Sequence, residues 1–262
     1  MAEPDLIDRA KTAVSERAEL PGMSLMQHLE DLRKCLIRSA LALFVGMMVA
    51  WCFYSKIENL IARPITQLGL KLTQVHPIDA VDFAVKVALY GGVILASPYI
   101  LYQVWTFISP GLYRNERRYV VPFMGVTVGL FLTGIAVAYY FVLPSAMPVL
   151  LLKFGHNFTQ MITIDDYMQF FLAVVLGLGI TFELPIVVFF LAIFGIVDAK
   201  FMVRHSRYAI LLIFIIAAII CPAPDPISMC IFASPMLILY GVSIGVAYVF
   251  HPSRRKKKEA NA

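Results

Sequence analysis

The amino-acid sequence predicts an all-α membrane protein of six transmembrane helices with both ends on the cytoplasmic side, and three observations carry that prediction. Of 262 residues, 60% are hydrophobic and only 15% charged, and mean hydropathy is +0.79, far from the averages of soluble domains. The apolar residues come in continuous runs, without the strict alternation of a barrel strand, so each segment must satisfy its own backbone as a helix. Lysine and arginine are unevenly placed. Six lie up to Arg38, three in 114–118, three in 200–207 and five in 254–258, so that 17 of the 22 fall on one side of the predicted bundle. The positive-inside rule makes that side cytoplasmic, and the net charge of +5 is read through topology, with no nucleic-acid partner implied.

Residues 1–22 are polar and charged, and the first apolar run begins only near Cys35, which is not the pattern of a cleavable signal peptide. From Met23 the periodicity firms. Met26, Leu29, Leu32 and Leu36 recur at helical spacing, with Gln27, Asp31, Lys34 and Arg38 on a neighbouring polar face. Leu36 to Tyr54 is the first span, with Trp51 and Tyr54 as interfacial aromatics at its far end. Lys56 to Val81 carries Arg63-Pro64, Gly69 and His76-Pro77 and reads as an exoplasmic excursion with short helical pieces. Asp82 to Thr106 is the second span. Gly91-Gly92 and Ser97-Pro98 interrupt it, and the freed backbone groups require partners from neighbouring helices.

Phe107 to Arg118, FISPGLYRNERR, cannot cross a bilayer. Pro110 removes a backbone donor and Gly111 allows a sharp turn, so the helix stops there, and Arg114, Arg117 and Arg118 hold the loop inside. Tyr119 to Leu143 is the third span, ended by Pro144, and Ser145 to Thr163 is a second exoplasmic loop. Asp165 or Asp166 caps the fourth span, which runs to about Ile196 and contains Gly177, Gly179, Glu183 and Pro185. A second inside loop covers Asp198 to Arg207. The fifth span, Tyr208 to Ile220, would be only ~20 Å long against a hydrocarbon core of ~30 Å. Cys221 to Pro226 turns outside, with Asp225 in the loop as the cap of the sixth span, Ile227 to Phe250. Residues 251–262 form a basic tail. Lys86 and Lys153 lie near span ends and are expected to snorkel.

No hydrolase, phosphate-loop or dinucleotide motif is present, the five histidines lack metal-ligand spacing, and the four cysteines contain no CxxC pair. The chain therefore reads as a non-enzyme without cofactor or metal. What remains is a set of acids towards the inside: Asp31 before the first span, Glu116 in the central loop and Glu183 within the fourth. An ionisable group inside a span is costly enough to mark function. Asp31 and Glu30 either pair with Lys34, Arg33 or Arg38 on their own helix or Asp31 faces a ligand, and Glu116 either pairs with Arg114 or Arg117 or does the same. Taken together, two carboxylates at one surface suit a guanidinium, which a carboxylate holds in a two-pronged grip, and so an arginine-bearing peptide. The alternative from the same residues is a proton-coupled small-solute transporter built on Glu183.

The sequence resembles the TatC family, the multispanning receptor subunits of the twin-arginine protein translocase. The carriers are MSLMQHLEDLRKCL (23–36), SPYILYQVWTFISPGLYRNERR (97–118), FELP (182–185), PDPIS (224–228) and ASP (233–235), so the resemblance covers 23–250. It implies six helices in a concave, glove-like wall with the fifth and sixth short, in the bacterial cytoplasmic (inner) membrane. It also implies recognition of signal peptides bearing paired arginines and transport of folded proteins by the proton-motive force. Single-helix TatA- and TatB-like subunits, membrane lipids and further copies of the chain are the implied partners. By position, Glu116 and Asp31 would hold the arginine pair, with Arg33, Phe107, Pro110, Gly111 and Leu112 shaping the site and Glu183 facing the concavity. The chain departs from the family pattern at Asp31, where glutamate is usual, at Cys35, where a second arginine is usual, and at Met229, where glutamine is common.

Overall fold

The computed structural model describes residues 25–108, 120–153, 161–193, 196–220 and 226–250. Pro110, Gly111, Leu112, Glu116 and Asp225, and the expectations for residues 1–22 and 251–262, lie outside the described residues.

The polar stretch and the apolar run that follows it are one helix, α1 (Leu25–Cys52), because neither glycine nor proline separates them before Gly46. A short amphipathic helix, α2 (Tyr54–Thr66), leads to a two-residue strand, β1 (Leu72–Thr73), and then α3 (Asp79–Ile108) crosses back. α3 is unbroken over 30 residues. The Gly91-Gly92 pair, expected to interrupt it, is instead a packing surface. A Cβ on Gly92 would lie 2.7 Å from the Met47 backbone nitrogen, and one on Gly46 would lie 2.6 Å from the Gly92 carbonyl oxygen. Small residues thus let α1 and α3 touch backbone to backbone in the most extensive helix pairing among the described residues.

Pro98 does not break α3 either, and the carbonyl it frees finds a partner in its own helix, not a neighbouring one. Proline lacks the N–H that would bond the carbonyl four residues back. That acceptor, the Ile94 carbonyl, takes a bond from Ser97 Oγ at 2.7 Å.

The third span overruns its expected end at Pro144. Helix α4 (Val120–Val137) passes through a π-helical segment, Ala138–Val142, into α5 (Leu143–Pro148) and a second π segment, Val149–Lys153. The wider turns shift the hydrogen-bond register around the proline, so an apolar span continues from Phe123 to Leu151. Strand β2 (Ile162–Thr163) then pairs in parallel with β1.

Helix α6 (Ile164–Thr181) begins at Thr163, not at an aspartate. Thr163 Oγ1 accepts from the Asp166 amide at 3.1 Å and donates to Asp166 Oδ2 at 2.6 Å. Asp165 instead accepts from Gln169 Nε2 at 2.7 Å and meets Lys86 of α3. Lys86, expected to snorkel, is therefore held between Asp165 and Asp82, the latter at 2.6 Å. A break at Phe182–Glu183 separates α6 from α7 (Leu184–Ile193). Then follow α8 (Ala199–Arg204), α9 (Ser206–Ile220) and α10 (Pro226–Phe250). At 15 residues α9 is short, as its length in the sequence predicts. The helix expected as the sixth span is not short: α10 has 25 residues, ~37 Å of helix, because Ser234 Oγ bonds the Ile231 carbonyl that Pro235 frees, at 2.9 Å, and the helix carries on.

Five segments are long and apolar enough to cross a membrane: Met26–Cys52, Asp79–Phe107, Phe123–Leu151, Ile164–Ala192 and Pro226–Val249. The last four share a core centred on Val87, Val142, Met168, Val174, Phe232 and Met236, while much of α1 remains exposed.

Candidate functional site

Two polar regions emerge, one where α1, α3 and α4 end together and one within the fourth span. In the first, three aromatic contacts frame the segment 109–119. Trp105 near the end of α3 packs on Phe190 of α7 at 4.5 Å between ring centroids, and Phe123 near the start of α4 packs on Phe189 at 4.3 Å. Both flanks of the central loop are thereby fixed to α7. Phe107 stacks on His28 of α1 at 4.4 Å with the rings 22° apart. That third contact brings the start of α1 against the end of α3. His28, Trp105, Phe123, Phe189 and Phe190 are absent from the sequence-predicted site. For the four others the only signal in the sequence is aromatic enrichment beside the loop and after FELP, which reads equally as lipid-facing surface; His28 has none.

Asp31 lies three residues after His28, hence on the same helical face. Glu30 forms the i,i+4 pair with Lys34 at 2.9 Å, a self-contained surface pair. Asp31 is half-buried and has no ion pair among the described residues. Arg33 is exposed on the adjacent face. The predicted members Pro110, Gly111, Leu112 and Glu116 fall in the framed segment outside the described residues.

The second region is the break in the fourth span. Glu183 sits there because Pro185 cannot donate to the carbonyl of Thr181, and the chain makes a turn in which the Glu183 amide bonds Ile180 at 3.1 Å and its carbonyl accepts from Ile186 and Val187. Its Oε1 is buried without a hydrogen-bond partner among the described residues, and so is Oγ1 of Thr127 in α4. Thr127 belongs to the stripe Phe123, Thr127, Phe131, Gly134 that packs on this span. Phe123 meets Phe189, while Phe131 lies over Gly179 and Gly134 abuts Phe182. Two unsatisfied polar atoms therefore belong to one interface near the helix break. Among the described residues no group of histidine, cysteine and carboxylate side chains could hold a metal.

These features define a multi-pass helical membrane protein with a framed polar site at one end of its bundle and a recessed carboxyl within it. A family model described as Sec-independent protein translocase protein (TatC) matches residues 27–235. The Sec-independent protein translocase protein TatC of Koribacter versatilis is 46% identical, over 99% of this chain and 98% of that relative. The protein of the same name from Carboxydothermus hydrogenoformans is 40% identical, over 88% and 95%. A crystal structure described as the twin arginine translocase receptor TatC superposes with a TM-score of 0.75 at 36% identity, covering 84% of this chain and 97% of that one. The chain belongs to the TatC family of Sec-independent protein translocase components.

Proposed function

We propose that this protein is the signal-peptide receptor and core component of a twin-arginine translocase in the bacterial cytoplasmic membrane, where it moves folded proteins using the proton-motive force. The observation that supports this reading is the stack of His28 on Phe107, which joins the Asp31 face of α1 to the end of α3, from which the sequence runs on to Glu116, while Glu30 absorbs the nearby Lys34. The half-buried carboxylate of Asp31, acting together with that of Glu116, suits paired guanidinium groups, which bind carboxylates in fork geometry. Arg33, Phe107, Pro110, Gly111 and Leu112 shape the receiving surface. The related crystal structure, described as that of a twin arginine translocase receptor, supports the same role. In this reading the chain crosses six times, α9 being the short crossing, with both termini in the cytoplasm and the helices forming a concave wall towards which Glu183 is directed. The partners are twin-arginine signal peptides, single-helix TatA- and TatB-like subunits, lipids and further copies of the chain.

The test is photocrosslinking from a site beside Glu116 to a twin-arginine peptide in membranes. Glu116→Ala with Asp31→Ala is expected to weaken capture about thirtyfold or more, from losing charge-assisted bonds worth roughly 2–3 kcal/mol, and a two-lysine peptide should be captured poorly by the unaltered protein. Equal capture by the double variant, with insertion intact, refutes the reading.

A further inference from the structure

The basic second loop and the last helix build a groove that the proposed receptor role leaves unused. Lys200 and Arg204 stand four residues apart on α8, hence on one face, and both are exposed with no ion pair among the described residues. They border a groove of about 660 Å³ whose other walls are Val203 of α8 and Gly241, Ile244, Gly245 and Tyr248 of α10. The floor is open: a Cβ on Gly241 or Gly245 would meet nothing within 4 Å. Tyr240 OH donates to the Met202 carbonyl at 2.8 Å, and Ala199, Met202 and Ala247 pack together, so the cationic helix is anchored to the floor it overhangs.

Two side chains of like charge over a glycine-floored strip pose a specific question of occupancy. Glycines four apart on an apolar helix commonly receive a second helix. A second copy of this chain, however, would bring the same two cations towards their own images across a two-fold interface, at a repulsive cost. An anionic headgroup meets both cations favourably, and its acyl chain lies along the apolar strip.

We propose that Lys200 and Arg204 form the headgroup site of an anionic phospholipid, whose acyl chain runs past Tyr248 and Gly245 to Gly241. The lipid belongs to the cytoplasmic leaflet, a placement that rests on the orientation proposed above. Tyrosine at the headgroup level and basic side chains near an anionic surface are the ordinary components of such sites.

The experiment uses the full-length protein carrying a benzophenone amino acid at Ile244, in vesicles of equal parts phosphatidylglycerol and phosphatidylcholine, with adducts identified by mass. The expected result is about a tenfold excess of phosphatidylglycerol adduct, falling to near parity in Lys200→Gln/Arg204→Gln, while the basic tail is unchanged. A second variant, Gly245→Leu, should lower both lipid adducts by filling the floor. The proposal is overturned if the double substitution leaves the lipid ratio unchanged, or if the chief adduct is a dimer of the chain. Capture of a twin-arginine peptide beside Glu116 is measured on the same preparations, so failure of the lipid site is distinguished from failure of the receptor reading.

Discussion

Thr127 is a hydroxyl buried to 1% exposure with nothing to bond among the described residues, on a helix face otherwise made of rings and glycine. An unsatisfied buried polar group costs roughly 1–3 kcal/mol, and replacing it by an apolar group of the same shape removes that cost. Thr127→Val is therefore expected to leave stability unchanged or raise it by ~1 kcal/mol, read as thermal unfolding of the purified protein in detergent. Clear destabilisation would mean that the hydroxyl already has an internal partner. At this scale the acids were legible in the sequence, since a carboxylate inside an apolar run is conspicuous on composition alone. His28 was not. Its contribution depends on Phe107, 79 residues away, and no local pattern announces a ring pair across two helices. Thr163 was missed in favour of Asp165 and Asp166 because all three are good helix-capping residues and adjacent positions compete.

Helices in this chain survive their prolines by three devices, and the first can be tested directly. In α3 and α10 a serine immediately before the proline bonds the carbonyl that the proline leaves free. Ser97→Ala should cost about 1 kcal/mol, and that cost should largely vanish in a Pro98→Ala background, where a backbone donor returns; additive losses would exclude the coupling. In α2 the Leu60 carbonyl freed by Pro64 is met from outside, by Tyr139 OH at 2.8 Å. The sequence marks Ser97-Pro98 as an interruption because proline usually signals one. What it does not convey is that the preceding side chain can repair the helix, or that π turns carry the third span past Pro144. Glycine is ambiguous for a similar reason: it can loosen a helix or let another approach. Gly92→Ala, pressed against the Met47 backbone, should destabilise by ~1–3 kcal/mol, whereas Gly125→Ala, with nothing within 4 Å, should be neutral or stabilising by up to ~1 kcal/mol. Equal effects at both sites would show that α1 and α3 can separate without penalty.

For the molecule as a whole, hydropathy was the most legible property, and the apolar runs locate every long span to within its ends. Its least legible property is the matching of span lengths to one bilayer. Helix α9 has 15 residues, ~22 Å, beside α10 with 25, so if it is the short crossing proposed above, the lipid around it must thin or its flanks must reach outwards. Thermal stability should accordingly be higher in shorter-chain than in longer-chain phosphatidylcholine, measured by unfolding in reconstituted vesicles. Insensitivity to chain length would mean that α8 and the polar start of α9 already sit within the span.

Helix α2 is held by hydroxyls that arrive late. Tyr139 lies 79 residues beyond the Leu60 carbonyl it bonds, and Tyr167 lies 106 beyond the Ile61 carbonyl that receives its hydroxyl. Biosynthesis proceeds from the N-terminus, so in the proposed orientation this outer helix reaches the far side of the membrane long before either latch exists. The nascent protein thus passes through a stage in which its first spans are inserted but their external cap is untethered, and only insertion of the fourth span completes it.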